Sequence, residues 1–191
     1  RGELEVHFQP ICLLAGGRVI GMEALARWRH PRRGMIPPDE FIPVAEQTGL
    51  IDALGDWILQ ESCRQAATWR RLGLAPLTGI NVSPRQLRRG DFAERVAAQL
   101  EAHGVPPQHI VIELTETAWM VEADRMLPTL RELKDVGVRL ALDDFGAGYS
   151  SLSRLLELPV DVIKVDRTFL REVPERAEAV AVLTAITQLA D

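Results

Sequence analysis

The sequence predicts an α/β fold built on a mostly parallel sheet. Short runs of apolar and β-branched residues alternate with stretches of helical spacing, which is the order of βαβ units. The runs are short and apolar, as suits strands covered on both faces. Strand and helix spacing by themselves leave a closed barrel and an open doubly wound sheet as alternatives. A chain of 191 residues with 47% hydrophobic content fits one domain with a substantial core.

Residues 5–14 and 18–28 are apolar segments on either side of Ala15-Gly16-Gly17 and predict a β-hairpin. Residues 52–72 place Leu54, Trp57, Ile58, Trp69 and Leu72 on one side at helical spacing, and Gly73 closes that helix. A short strand is expected at 77–82. Asp91 with Glu94 has the form of a capping box, opening a helix whose Val96 and Leu100 face the core and which ends at Gly104-Val105-Pro106-Pro107. Residues 109–114 are the next strand. Met126, Leu127, Leu130 and Leu133 share a helical face, and Pro128 requires that helix to start late or to kink. Strands follow at 138–142 and 160–165, making six, and a last helix begins near residue 175. Repeats, low-complexity tracts and linkers are missing from the sequence. The chain begins at Arg1 and stops within the amphipathic pattern of Val180, Leu183, Ile186 and Leu189, so both ends read as cuts from a longer protein.

Composition narrows the function. A formal net charge of −5 argues against a groove tracking a nucleic-acid polymer, which needs clustered Lys and Arg. Cys12 and Cys63 lie far apart, with no CxxC pairing, so neither a zinc site nor a disulfide framework is expected. No apolar run approaches the roughly 18 residues of a membrane span, and the N-terminus lacks a signal peptide's pattern; with the cysteines read as reduced thiols, the expectation is a soluble cytoplasmic domain, either of a cytoplasmic protein or as the cytoplasmic portion of a membrane-bound parent.

The polar residues carry the chemistry. In every predicted strand after the first, the apolar run ends in a group able to bind a metal or a phosphate: Glu23, Asn81, Glu113, Asp143 with Asp144, and Lys164 with Asp166. Taken singly, each has a plain structural explanation as a cap, a turn or a surface group. Taken together at the C-terminal ends of parallel strands, they would share one rim of a β/α barrel. So many carboxylates in one concavity repel, and they coexist at neutral pH only with protonation, pairing or cations. An oxygen-only set suits Mg²⁺ or Mn²⁺ rather than Zn²⁺, and two ions bridged by a shared carboxylate clamp an in-line displacement at phosphorus. The tripeptide Asp144-Phe145-Gly146 also occurs in protein kinases, but no glycine-rich phosphate loop or HRD segment accompanies it. The glycines of DFGAGYSS instead suggest a loop whose backbone N–H groups hold phosphate or contact a neighbouring site.

With those residues in place, the chain resembles the EAL-type cyclic di-GMP phosphodiesterase family. Glu23-Ala24-Leu25 within GMEALARWRHP matches the EAL signature and continues into IPPDEFIPVAEQTGLI. NVSPRQL from Asn81, ELTET from Glu113, LDDFGAGYSSL from Leu142 and IKVDRTF from Ile163 follow in the family's order. The resemblance spans essentially the whole chain.

The resemblance implies a modified TIM (β/α)8 barrel with an antiparallel first strand, cyclic di-GMP as substrate and linear pGpG as product. It implies that Glu23, Asn81, Glu113 and Asp143 hold one ion and that Asp143 and Asp144 reach a second. Lys164 would orient or help deprotonate the attacking water, supported by Asp166, with Glu23 also catalytic. Arg27 would grip a substrate phosphate, and Gln9 and Leu25 would lie by the ligand. Glu116 would anchor the glycine-rich loop and tie metal occupancy to a homodimer contact, and a GGDEF or sensory domain would be fused in the parent protein. Ala147 departs from the family, which usually has Thr there. The chain also stops before the EGVE-like segment and the last strand with its Gln, so the last two β/α units are expected to be missing and the fragment alone to be weak or inactive. The alternatives are a non-hydrolysing cyclic di-GMP receptor and a barrel enzyme acting on another phosphorylated small molecule.

Overall fold

The chain opens with the expected hairpin, seen here in a computed structural model that describes residues 2–12, 16–145 and 158–165. β1 (Leu4–Cys12) pairs antiparallel with β2 (Val19–His30), placing Gln9 opposite Glu23 and Glu5 opposite Arg27. Gly16 and Gly17 turn the chain at φ of 84° and 64°, a region that side chains disfavour. β3 (Gly34–Ile36) adds antiparallel to β2, and α1 (Pro38–Thr48) follows it. Neither was expected from periodicity. β3 is three residues long, and α1 has Pro43 inside it and buries only Phe41 and Ala45.

α2 (Ile51–Arg71) buries Ile51, Leu54, Ile58, Leu59, Cys63 and Ala66, a stripe of helical period. The face predicted for it is partly displaced. Trp57 and Trp69 are only half-buried, and Trp69 meets Phe8 of β1 edge-on at 5.0 Å between ring centroids. Leu72 lies past the helix end and is 70% exposed, so it belongs to the turn rather than the core.

β4 (Leu77–Asn81) leads through the short α3 (Pro84–Leu87) to α4 (Phe92–His103), whose Val96 and Leu100 are buried as expected. The expected capping box at Asp91 does not form. Its carboxylate instead accepts from the Arg89 guanidinium at 3.1 and 2.9 Å, an ion pair that takes the oxygens a cap would have used. A 3₁₀ turn at Pro107–His109 leads into β5 (Ile110–Thr115), followed by α5 (Glu116–Val136). α5 kinks where Glu122 leaves helical geometry (φ −130°, ψ 19°). The helix resumes after that break and continues through Pro128, whose ring and missing N–H bear on the Asp124 carbonyl four residues before it. β6 (Arg139–Phe145) and β7 (Val162–Val165) complete the described strands, and the helix expected near residue 175 lies outside the described residues.

The strands form one sheet in the order β1-β2-β4-β5-β6-β7, with β3 beside β2, and every pairing from β2-β4 onward is parallel. Each strand is laid beside its predecessor with no reversal of order. A doubly wound sheet would reverse at a switch point, so the alternative left open by local spacing resolves to barrel-type winding with an antiparallel first strand. Ile110, Ile112 and Leu114 of β5 join the core beneath α4 and α5 together with Phe92, Val96, Trp119, Met126 and Leu133. Each such burial contributes about 1.5–3 kcal/mol relative to exposure. Val111 and Glu113 alternate with them and point to the opposite face of the sheet.

Among the described residues no helix is long and apolar enough to cross a membrane. Both cysteines are free, Cys12 exposed and Cys63 fully buried in α2, where burial pushes its thiol up to about 12. Only the thiolate reacts, so iodoacetamide at neutral pH is expected to label Cys12 alone in the folded protein and both thiols after denaturation. Mass spectrometry of the alkylated chain checks this, and labelling of native Cys63 at the rate of Cys12 would refute it.

Candidate active site

The register of the parallel strands explains how residues far apart in sequence converge. Glu23 of β2 is level with Gly79 of β4, and Asn81, two residues further on, is level with Glu113 of β5. Glu113 is level with Ala141 of β6, and Asp143 lies two residues beyond that. Val162 of β7 is also level with Ala141, and Lys164 lies two residues beyond it. Each step is zero or two residues, and the side-chain period of a strand is two, so all five side chains fall on one face along a slanted line. Such a stagger is the shear of a barrel wall.

Lys164 is the centre of this group. Its ammonium donates to Glu113 Oε2 at 2.6 Å, Asp143 Oδ2 at 2.8 Å and Glu23 Oε2 at 3.0 Å, and Asn81 Nδ2 donates to Glu23 Oε1 at 2.9 Å. Burial pulls Lys164 toward the neutral form, but the carboxylates of Glu113 and Asp143 outweigh it and hold the ammonium above its usual range. Glu113 is 2% exposed, and burial pushes its carboxyl up to about 7. Lys164 opposes that rise while Glu23 and Asp143 reinforce it. Fully ionised, the three carboxylates and one ammonium carry a net charge of −2, which a divalent cation would balance. Glu23, Glu113 and Asp143 each offer an oxygen within 4.8 Å of the others, a spacing at which one ion can be held. Asn81 can add its carboxamide oxygen by rotating the amide.

The other predicted residues occupy distinct places. Leu25 and Arg27 follow Glu23 on the same face of β2, and Gln9 faces Glu23 from β1. Gln9 is exposed and Leu25 half-buried, and the half-buried Arg27 donates to the Ala26 carbonyl at 2.9 Å. Asp144 stands outside the three-carboxylate group and is exposed. Its φ of 56° is a left-handed conformation uncommon for a side-chain-bearing residue, and its N–H donates to Asp143 Oδ1 at 2.9 Å. The strained turn thereby fixes the Asp143 carboxylate from behind. Glu116 is buried at the first turn of α5, where an acidic group meets the positive end of the helix, and Thr115 caps the same turn by accepting from Ala118 N–H. Asp166, Ala147 and the rest of the glycine-rich loop beyond Phe145 lie outside the described residues. A cavity of about 520 Å³ lined by Arg70, Leu100, Val105 and Val136 shares no residue with this group.

Sequence reasoning missed Gly79. A glycine inside a strand is a sign of close backbone approach, and that sign was present between Thr78 and Ile80.

A family model described as EAL domain matches residues 1–191. The bifunctional diguanylate cyclase/cyclic di-GMP phosphodiesterase MucR of Pseudomonas aeruginosa is 40% identical over 190 residues, covering 99% of this chain and 28% of that protein. The cyclic di-GMP phosphodiesterase NbdA of the same organism is 41% identical over 189 residues, covering 98% of this chain and 24% of that protein. The chain thus spans about a quarter of the length of the curated relatives it matches. A solved structure described as PaMucR phosphodiesterase in complex with c-di-GMP aligns with a TM-score of 0.89 at 40% identity, covering 98% of this chain and 76% of that one.

Proposed function

The chain belongs to the EAL domain family, and on that premise we propose that it is the site-bearing part of a phosphodiesterase that opens cyclic di-GMP to linear pGpG. The observation that carries this reading is the meeting of Glu23, Glu113 and Asp143, with Asn81, around the Lys164 ammonium. Their oxygen-only donor set fits Mg²⁺ or Mn²⁺. Glu23, Asn81, Glu113 and Asp143 would hold one ion, and Asp143 with Asp144 would reach a second. When bound, the ions lower the pKa of a water and neutralise charge growing on the phosphoryl oxygens.

The chain's own residues supply the rest. Lys164 already donates to all three carboxylates, and hydrogen bonds no longer needed there would turn to the attacking water, orienting it in line with the departing 3′ oxygen. Its positive charge adds to the field at the phosphorus. Asp166 would support Lys164. Arg27 would hold a substrate phosphate, with Gln9 and Leu25 beside the ligand. Glu116 would anchor the glycine-rich loop and couple the site to a homodimer contact. In the whole protein we place this unit in the cytoplasm, fused to a GGDEF or sensory domain.

Incubating the full-length protein with cyclic di-GMP and Mn²⁺ or Mg²⁺ and resolving products by liquid chromatography tests the reading. The expected result is pGpG, suppressed by EDTA. Binding of cyclic di-GMP without pGpG would make the protein a receptor and overturn the proposal.

A further inference from the structure

We propose that Gly79 is a positioning residue: its missing side chain is the space into which the Glu113 carboxylate folds to reach the shared site. The inference rests on the metal-binding reading of that site. Gly79 is buried in the middle of β4, between Thr78 and Ile80, with Glu23 level on one side and Val111 on the other. Backbone conformation does not explain it, because Gly79 is absent from the glycines with positive φ. A mid-strand glycine costs about 0.5–1 kcal/mol relative to alanine, so it brings no stability of its own.

What the position does supply is volume. A Cβ at residue 79 would lie 2.9 Å from Glu113 Cδ, 3.6 Å from Oε2 and closer still to Oε1. Glu113 is 2% exposed and its Oε2 is 2.6 Å from Lys164 Nζ, so the carboxylate lies between Gly79 and the ammonium. A methyl group at 79 would therefore push the carboxylate off Lys164 and out of the group it forms with Glu23 and Asp143. The colliding atoms are the end of a side chain rather than backbone, so the sheet need not move. The prediction is loss of the site with retention of the fold.

The test is Mn²⁺ titration calorimetry and thermal melting of the full-length protein and its Gly79→Ala, Glu113→Ala and Gly79→Ala/Glu113→Ala variants. Gly79→Ala is expected to weaken Mn²⁺ binding by about 10–100-fold, the range for residues that orient a ligand. The double variant is expected to bind no more weakly than Glu113→Ala alone, because a residue acting only through Glu113 has nothing left to position. Should Gly79→Ala fail to fold, the double variant is expected to restore folding by removing the colliding side chain. Wild-type affinity in Gly79→Ala, additive losses in the double variant, or a double variant as unfolded as the single would each overturn the inference. Absence of Mn²⁺ binding by the wild-type protein would instead sink the metal reading and the inference with it.

Discussion

Glu23→Ala is expected to abolish hydrolysis of cyclic di-GMP by the full-length protein, by about 10³-fold or more, since losing a single transition-state donor already costs about 10²–10³. The fold should be untouched. Glu23 is only partly buried, its partner Asn81 is exposed and can turn to water, and Lys164 keeps Glu113 and Asp143. Removing one of three mutually repelling carboxylates also relieves the uncomplexed site. Turnover measured with Mn²⁺, beside circular dichroism of the same sample, decides the point. Hydrolysis at the wild-type rate would refute the site assignment, and loss of the circular dichroism signal would refute the claim that Glu23 is dispensable for folding.

Lys164→Met is expected to have the larger effect on stability. It leaves three carboxylates facing one another, one of them almost inaccessible to water, with no counter-charge. Breaking a buried ion pair from one side costs about 3–5 kcal/mol, and partial exposure of Lys164 argues for the lower end, about 3 kcal/mol. For a domain of this size that corresponds to a fall in Tm of roughly 6–12 °C in EDTA. Because ammonium and divalent cation answer the same carboxylates, Mn²⁺ should raise the Tm of Lys164→Met more than that of the wild type. Paired melts in EDTA and in Mn²⁺ measure both quantities. A variant that melts with the wild type in EDTA would show that Lys164 is not the counter-charge.

The sequence carried most of the strands and the identity of their terminal polar residues. Apolar runs ending in Glu, Asn, Asp or Lys are local signals, written within a few positions of one another, and they held at Asn81, Glu113, Asp143 and Lys164. Glu23 departs from that pattern. β2 continues past it to His30, so it serves the site from mid-strand, at the height set by pairing with Gly79. Asp91 shows the same limit on a smaller scale. The pattern of a capping box was present, but the Arg89 guanidinium competed for the carboxylate and won.

What the amino-acid order determined by itself was which residues could do the chemistry and that parallel strands would present them. Which strand lies beside which, by how many residues each is offset, and that Lys164 stands among the carboxylates rather than in solvent were decided only when the sheet wound up. The physical reason is that hydropathy period specifies which way a side chain points along its own strand. The offset between strands comes from packing between segments far apart in the chain, and no local pattern encodes it; Gly79 marks a close approach locally, but only the register shows that Glu113 makes it.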